Sequence, residues 1–250
     1  MPPVLVVPAA GRGSRLDSPL PKFLVPVAGR PMIDWLIELH RDFVSRIVVV
    51  VAPDALDRAR GHLSEASVPV DLEVQEQPTG MLDAVLAAHA RVQRTDASRI
   101  WVTWCDQVAV GRRTVAQLAA RSEVHADAAV VMPVAVRQDP YIHFARDPEG
   151  RICRVLQRRE GDEMPEVGES DAGLFSFSRH AFLTDLPAYA ERVQTGSGSG
   201  ERNMLPFIPW AAATGGVLTF PVEDEIESLG INTREDLARV EQHLLTRERR

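Results

Sequence analysis

Apolar and polar positions along the chain follow two rhythms, one of short unbroken runs and one of helical spacing. Val4 to Val7 is a continuous apolar run closed by Pro8, which predicts a strand buried on both faces. From Met32 to Phe43 the apolar positions Ile33, Leu36, Ile37 and Leu39 recur at helical spacing, and Ile47 to Val51 then forms a β-branched run. Strand, helix and strand in that order make a βαβ unit. Pro53, suited to a first helical turn, opens a helix to about Glu65; Val70 to Val74 predicts a strand, Leu82 to Val92 a helix, and Ile100 to Trp104 another strand. Strands joined by helices imply a parallel sheet.

Beyond Asp106 the pattern predicts a helix over Thr114 to Arg121 and an apolar run from Ala128 to Val134. The rhythm then changes. Tyr141 to Arg146 and Arg151 to Gln157 flank the turn signal Asp147-Pro148-Glu149-Gly150, which predicts a β-hairpin, and Gly173 to Phe177 predicts a further strand. The Gly/Ser stretch Gln194 to Gly200 reads as a mobile loop. A helix over Leu205 to Ala213, a strand over Val217 to Phe220 and an amphipathic helix from Thr233 complete the chain, with Thr233 and Asp236 spaced as a capping box. The expectation is an α/β fold: a mostly parallel central sheet flanked by helices, plus the hairpin.

Composition narrows the function classes. A chain of 250 residues that is 45% hydrophobic can bury a real core, and its two cysteines, Cys105 and Cys153, are too few for a disulfide framework and too far apart for a zinc site. A net charge of -7, with cations scattered rather than blocked, argues against nucleic-acid binding. No apolar run approaches the roughly 20 residues of a membrane helix, and Met1-Pro2-Pro3-Val4 lacks the basic start of a secretory signal. A cytoplasmic protein with a small-molecule partner and no membrane partner is expected, as a monomer or homodimer. One bias stands out: Lys22 is the only lysine among 28 Lys and Arg residues. In a chain that uses arginine for every other cation, this position marks a need for a compact ammonium.

The loop Ala9-Ala10-Gly11-Arg12-Gly13-Ser14, directly after the first strand, can form an anion-binding concavity of backbone N–H groups, flanked by Arg15 and Lys22. It matches neither the Gly-x-Gly-x-x-Gly fingerprint nor the P-loop ending. A tight turn with solvated arginines fits the same residues. Asp106 follows a predicted strand and so sits at a carboxyl end, where open α/β sheets bind ligands; it could equally be the acidic start of a helix. Asn232, one of two asparagines with Asn203, could be a turn or cap residue.

The string Pro8 to Leu16, followed by Leu20-Pro21-Lys22-Phe23-Leu24 and running to Asp34, resembles the signature of the nucleotidyltransferases that activate sugar 1-phosphates. The resemblance continues through Glu76 to Gly80, Trp104-Cys105-Asp106, the Tyr141 to Gln157 hairpin, Glu169 to Gly173 and Leu229 to Thr233, and so covers nearly the whole chain. Within that family it is most similar to the uridylyltransferase domains that act on N-acetylglucosamine 1-phosphate. No hexapeptide repeat occurs, so the acetyltransferase activity joined to such domains is not expected. The resemblance implies a single Rossmann-like nucleotidyltransferase domain, with a nucleotide-binding part over about residues 1–135, an acceptor-binding part over about 136–232, and a C-terminal helix over 233–250.

It also implies a reaction. An oxygen of a sugar phosphate attacks the α-phosphorus of an NTP in line and pyrophosphate leaves, so the protein positions reactants and neutralises charge. On that pattern Arg15 and Lys22 are catalytic, Ala9, Ala10, Gly11 and Gly13 hold the nucleotide, and Gln77 and Gly80 recognise base and ribose. Asp106 and Asn232 hold Mg²⁺, and Tyr141, Gln157 and Asp171 bind the acceptor. UTP is the favoured donor, although Met81 stands where relatives carry Thr. The acceptor pocket departs most: Ile142 replaces a glycine, Gln157 a glutamate, and Asp171-Ala172-Gly173 an Asn-Thr-Gly. Gln77, Gln157 and Asp171 also fit solvated loop and strand-end polar groups, and Arg154, Arg158 and Arg159 a solvated face. A cytidylyltransferase acting on a non-sugar phosphate or phosphonate, and a non-catalytic nucleotide or sugar sensor, are the alternatives.

Overall fold

A strand flanked on both faces by helices must be apolar throughout, and the runs at Val4, Ile47 and Ile100 lie at the centre of the sheet for that reason. The computed structural model describes residues 1–11 and 13–248; Arg12 in the first loop, and Arg249 and Arg250 at the end of the expected C-terminal helix, lie outside the described residues. In chain order the elements are β1 (Val4–Pro8), β2 (Pro26–Val27), β3 (Arg30–Pro31), α1 (Met32–His40), β4 (Arg46–Val51), α2 (Leu56–Leu63), β5 (Val70–Val74), α3 (Met81–Ala87), α4 (His89–Gln93) and β6 (Arg99–Thr103). There follow α5 (Arg112–Val124), β7 (Val130–Gln138), β8 (Ile142–Arg146), β9 (Ile152–Gln157), β10 (Val167–Asp171), β11 (Leu174–Ser178), α6 (Leu186–Ala190), α7 (Phe207–Thr214), β12 (Val217–Pro221) and α8 (Arg234–Glu248).

The main sheet runs β10-β7-β11-β6-β1-β4-β5, with β12 paired to β7. β1 pairs in parallel with β4 and β6, β4 with β5, and β7 with β12. β11 is antiparallel to both β6 and β7, and β10 to β7. Alternate side chains divide between two cores. Leu5, Val7, Ile47, Val49 and Trp101 pack with Leu36, Val115, Leu118, Val240 and Leu244 on one face. Val4, Val6, Val48, Ile100 and Val102 pack with Leu82, Val85, Phe182, Phe207 and Ile208 on the other.

The antiparallel section has a positional consequence. Because β11 starts opposite the end of β6, with Leu174 beside Thr103, the turn Asp171-Ala172-Gly173 lies against Trp104 to Asp106. Gly173 O accepts from Trp104 N at 3.0 Å and Thr103 Oγ1 at 3.1 Å. Gly173 adopts φ +63°, and a Cβ there would lie 2.7 Å from Gln107 Oε1, so glycine is required.

Several elements depart from the pattern. The helix expected over Leu82 to Val92 is two, tightened at Ala88, where His89 reaches across to Leu183 O at 3.1 Å. β7 extends to Gln138, and β10 occupies a segment whose polar composition predicts no strand. The hairpin β8–β9 forms as expected and docks on β10, where Ser170 Oγ donates to Ile142 O at 2.5 Å and Glu169 N to His143 Nδ1 at 3.0 Å. The Gly/Ser stretch is held: one Glu160 carboxylate oxygen accepts from Gly198 N at 2.9 Å and Ser199 N at 3.3 Å. No helix among the described residues is long and apolar enough to cross a membrane.

Candidate active site

The loop after β1 begins inside the sheet. Ala9 N donates to Val50 O at 2.7 Å, so the buried Ala9 continues the ladder and its N–H is already used. Ala10 and Gly11 then turn out over a cleft of about 270 Å³, closed by the Ser18 to Pro21 segment and by Ala52, Asp54 and Arg58 beyond β4. This cleft lies at the carboxyl ends of two parallel strands. Gly13 has φ +61°, and a Cβ on it would stand 3.0 Å from Lys22 Cβ. The glycine therefore lets the loop close on the lysine stem and directs the ammonium inward.

Four of the expected residues meet beside Gly13, outside the lining of that cleft. Lys22 Nζ donates to the Asp106 carboxylate and, at 3.0 Å, to Asn232 Oδ1; Arg15 donates to the same Asn232 oxygen at 3.2 Å. Each arrives from a different part of the fold: Arg15 and Lys22 from single helical turns after β1, Asp106 from beyond β6, Asn232 from the turn before α8. The turn is well fixed. Thr233 and Asp236 exchange reciprocal cap bonds, and the Asp236 carboxylate also accepts from Asn232 N at 3.1 Å. Ile231 N donates to Asp106 O at 3.2 Å, joining the two acidic and amide loops directly.

Lys22 is only 9% exposed. Burial works against its charge, but attraction to Asp106 and the hydrogen bond to it prevail and hold the ammonium above its usual pKa, with Arg15 pulling the other way. Asp171 is 8% exposed and accepts from Gly173 N at 2.8 Å. Burial pushes its carboxyl up, against the bonds from Gly173 and Trp104, and the nearby Asp106 charge adds to the rise. The Cys105 thiol, buried beside these groups, is pushed up to about 12 by desolvation with a contribution from Asp106, which leaves it protonated and unreactive.

The donor set suits a hard divalent cation. Asp106 and Asn232 offer one carboxylate and one amide oxygen within reach of a single cationic atom, as Lys22 Nζ demonstrates. No group of three or more His, Cys, Asp or Glu is assembled among the described residues. A cation held by these two groups would complete its shell with water and phosphate oxygens.

The remaining candidates spread out from this cluster. Gln157, opposite Ile142 at the open end of the hairpin, is 6% exposed, which excludes the solvated strand-end role; its Oε1 accepts from Asn203 Nδ2. Through Ile142 O it is one hydrogen bond from Ser170, the neighbour of Asp171. Tyr141 is 51% exposed, and its side chain makes no hydrogen bond to the other candidates among the described residues. Gln77 is likewise exposed. Gly80 has φ +125°, and a Cβ there would lie 2.5 Å from Arg202 N and O. Thr79 O and Leu82 N bracket Arg202 at 2.7 and 3.0 Å, so the glycine is needed for chain contact whatever it does for a ligand.

Sequence patterns missed the strap formed by Glu201, Arg202 and Asn203. Glu201 takes two bonds from Arg159 at 3.0 and 2.9 Å, Arg202 pairs with Asp83 and Ala190 O, and Asn203 holds Gln157. It ties the Gln77 to Asp83 loop to the hairpin. The scarcity of asparagine was the one signal pointing to it.

A sheet with a glycine loop at its carboxyl edge, two cations and a carboxylate–amide pair define a protein that handles nucleoside phosphates. The model of the MobA-like NTP transferase domain matches residues 5–170, and the chain belongs to that family, a nucleotidyltransferase by class. It is similar over nearly its whole length to proteins named bifunctional protein GlmU. That of Paracoccus denitrificans is 29% identical over 249 residues, 99% of this chain and 54% of the relative. That of Paramagnetospirillum magneticum is 30% identical over 238 residues, 94% and 51% respectively. The Thermotoga maritima protein is 28% identical over 244 residues, 97% and 52%. The chain spans about half the length of the curated relatives it matches.

Proposed function

We propose that this protein transfers a nucleotidyl group from an NTP, with UTP favoured, to a sugar 1-phosphate or sugar-like phosphate, releasing pyrophosphate. An acceptor phosphate oxygen forms a bond to the α-phosphorus as the bond from that phosphorus to the pyrophosphate oxygen breaks. The observation that carries this reading is the convergence of Lys22, Arg15, Asp106 and Asn232 on one point beside a glycine loop. Such a transfer needs little covalent work from the protein, and the charge it develops calls for fixed cations.

In this reading Gly11, Gly13 and the turn of Ala9 and Ala10 receive the triphosphate, while Gln77 and Gly80 face base and ribose. Arg15 neutralises charge on the departing pyrophosphate and Lys22 charge near the reacting phosphorus. Asp106 and Asn232 would hold Mg²⁺, which when bound supplies Lewis-acid stabilisation of phosphate oxygens. Tyr141, Gln157 and Asp171 take the acceptor, so the division lies near residue 135, with the nucleotide part before it and the acceptor part to about residue 232.

Pyrophosphate release with Mg²⁺ tests this, using UTP, CTP, dTTP and GTP against glucose 1-phosphate, N-acetylglucosamine 1-phosphate and cyclitol phosphates, with product masses recorded. The expected result is one productive pair containing UTP, with turnover reduced about 100-fold or more in Asp106→Asn and Lys22→Ala, the scale seen when one charge-stabilising group is removed. Near-normal turnover in both variants, or no pyrophosphate with any pair, overturns it.

A further inference from the structure

Amide side chains carry one oxygen and one NH₂ of nearly the same shape, so their orientation is fixed only by partners that can solely give or solely take a proton. Asn203 has such a partner. The backbone N–H of Leu205 can only donate, and it meets Asn203 Oδ1 at 3.0 Å. Nδ2 must then be the other terminus of Asn203, and it donates to Gln157 Oε1. Gln157 is thereby left with its carbonyl oxygen engaged and its Nε2 without a partner among the described residues, yet not sealed from solvent. The backbone at this position is also fixed, since the Gln157 main-chain N–H donates to Asp162 Oδ2 at 2.8 Å, and the side-chain amide is held by Asn203. Asn203 is anchored in turn by Arg202, whose backbone brackets Gly80, and by Glu201, clamped to Arg159.

We propose that Asn203 is a positioning residue that sets the polarity of the acceptor subsite: it turns Gln157 so that an N–H donor faces the acceptor. The sugar-like phosphate used here therefore presents a lone pair at that point, as a hydroxyl, ether or carbonyl oxygen taking a hydrogen bond. A glutamate in the same place, as the resemblance implies for relatives, would offer only lone pairs and would select a hydroxyl that gives its proton. A nearly buried, neutral donor discriminates by being left unmatched when the lone pair is missing. The inference rests on the assignment of Gln157 to the acceptor region.

The test uses the productive acceptor of the panel above, with its deoxy and deoxyfluoro forms, on wild type, Asn203→Asp and Gln157→Glu. A deoxyfluoro group keeps a lone pair and loses the proton. In Asn203→Asp the new carboxylate still accepts from Leu205 N but can no longer donate to Gln157, which must then turn its NH₂ inward. The expected result is a rise of about tenfold or more in the KM for the acceptor, with the KM for the NTP unchanged. Wild type should accept the deoxyfluoro form at one position and reject the matching deoxy form, and Gln157→Glu should reject both there. The same analogue order in all three proteins, or a change in the KM for the NTP alone, overturns the inference while leaving the reaction intact. Absence of wild-type turnover with every pair removes the proposed function, and this inference with it.

Discussion

Lys22 sits where a planar guanidinium could not replace it. Its Nζ alone reaches the Asp106 carboxylate and Asn232 Oδ1, and its stem lies against Gly13 with no spare room. A guanidinium is longer and forked, so with its stem pressed against Gly13 its terminal nitrogens would overshoot the point at which Lys22 Nζ meets both oxygens. Lys22→Arg is expected to lose most turnover, on the order of 100-fold, with an unchanged circular dichroism spectrum. Retention of half the activity or more would mean that only the charge matters. This position was legible in the sequence because it is chemically unique among 28 cations. Arg15, Asp106 and Asn232 were legible because each stands within a continuous motif. Asn203 was not: its significance depends on Gln157, 46 residues away, and no local pattern reports a contact across that separation.

At the scale of elements, α1 carries a pH liability. His40 donates from Nδ1 to Leu36 O at 2.8 Å, while its Nε2 is enclosed with no partner and the ring packs on the edge of Trp101. Burial opposes protonation, and despite the bond to Leu36 the pKa falls from 6.5 to about 4. A group depressed in this way stabilises the fold fully above its unfolded value near 6.5, and the contribution is lost as pH falls through about 4. The loss amounts to about 3 kcal/mol. His40→Phe should flatten the fall of the urea midpoint across that window relative to wild type; identical slopes would show that other groups cause the acid sensitivity. The elements that sequence patterns identify are those whose signal is local, such as β1, β4 and β6 as apolar runs and α1 as a spaced helix. β10 was missed because Val167-Gly-Glu-Ser-Asp has no apolar alternation, and it forms as a strand through its ladder to β7 and its contact with the hairpin. The break at Ala88 has no Gly or Pro to announce it. It accompanies a bond from His89 to Leu183, which exists only once the chain has folded.

At the scale of the whole molecule, the mixed sheet is what assembles the site. Parallel pairing brings the ends of β1, β4 and β6 to one edge, and the antiparallel placement of β11 beside β6 carries Asp171, at the end of β10, to the same edge. The parallel half follows from helices between strands. The reversal does not, because β6 and β11 are paired across the α5, hairpin and β10 segments, whose lengths alone do not fix direction.

Because every other side-chain cation is an arginine, the molecule contains a single ε-amine, and that amine lies at the centre of the proposed reaction. Reductive methylation with isotopically labelled formaldehyde would therefore place one side-chain probe in the protein, with no mutagenesis. Its signal should shift when UTP and Mg²⁺ are added, and prior addition of the nucleotide should slow the labelling. A signal and a labelling rate indifferent to nucleotide would separate Lys22 from the triphosphate. The only other amine in the sequence is the α-amine at Met1, so composition alone reduces the side-chain signals of an amine reagent to one.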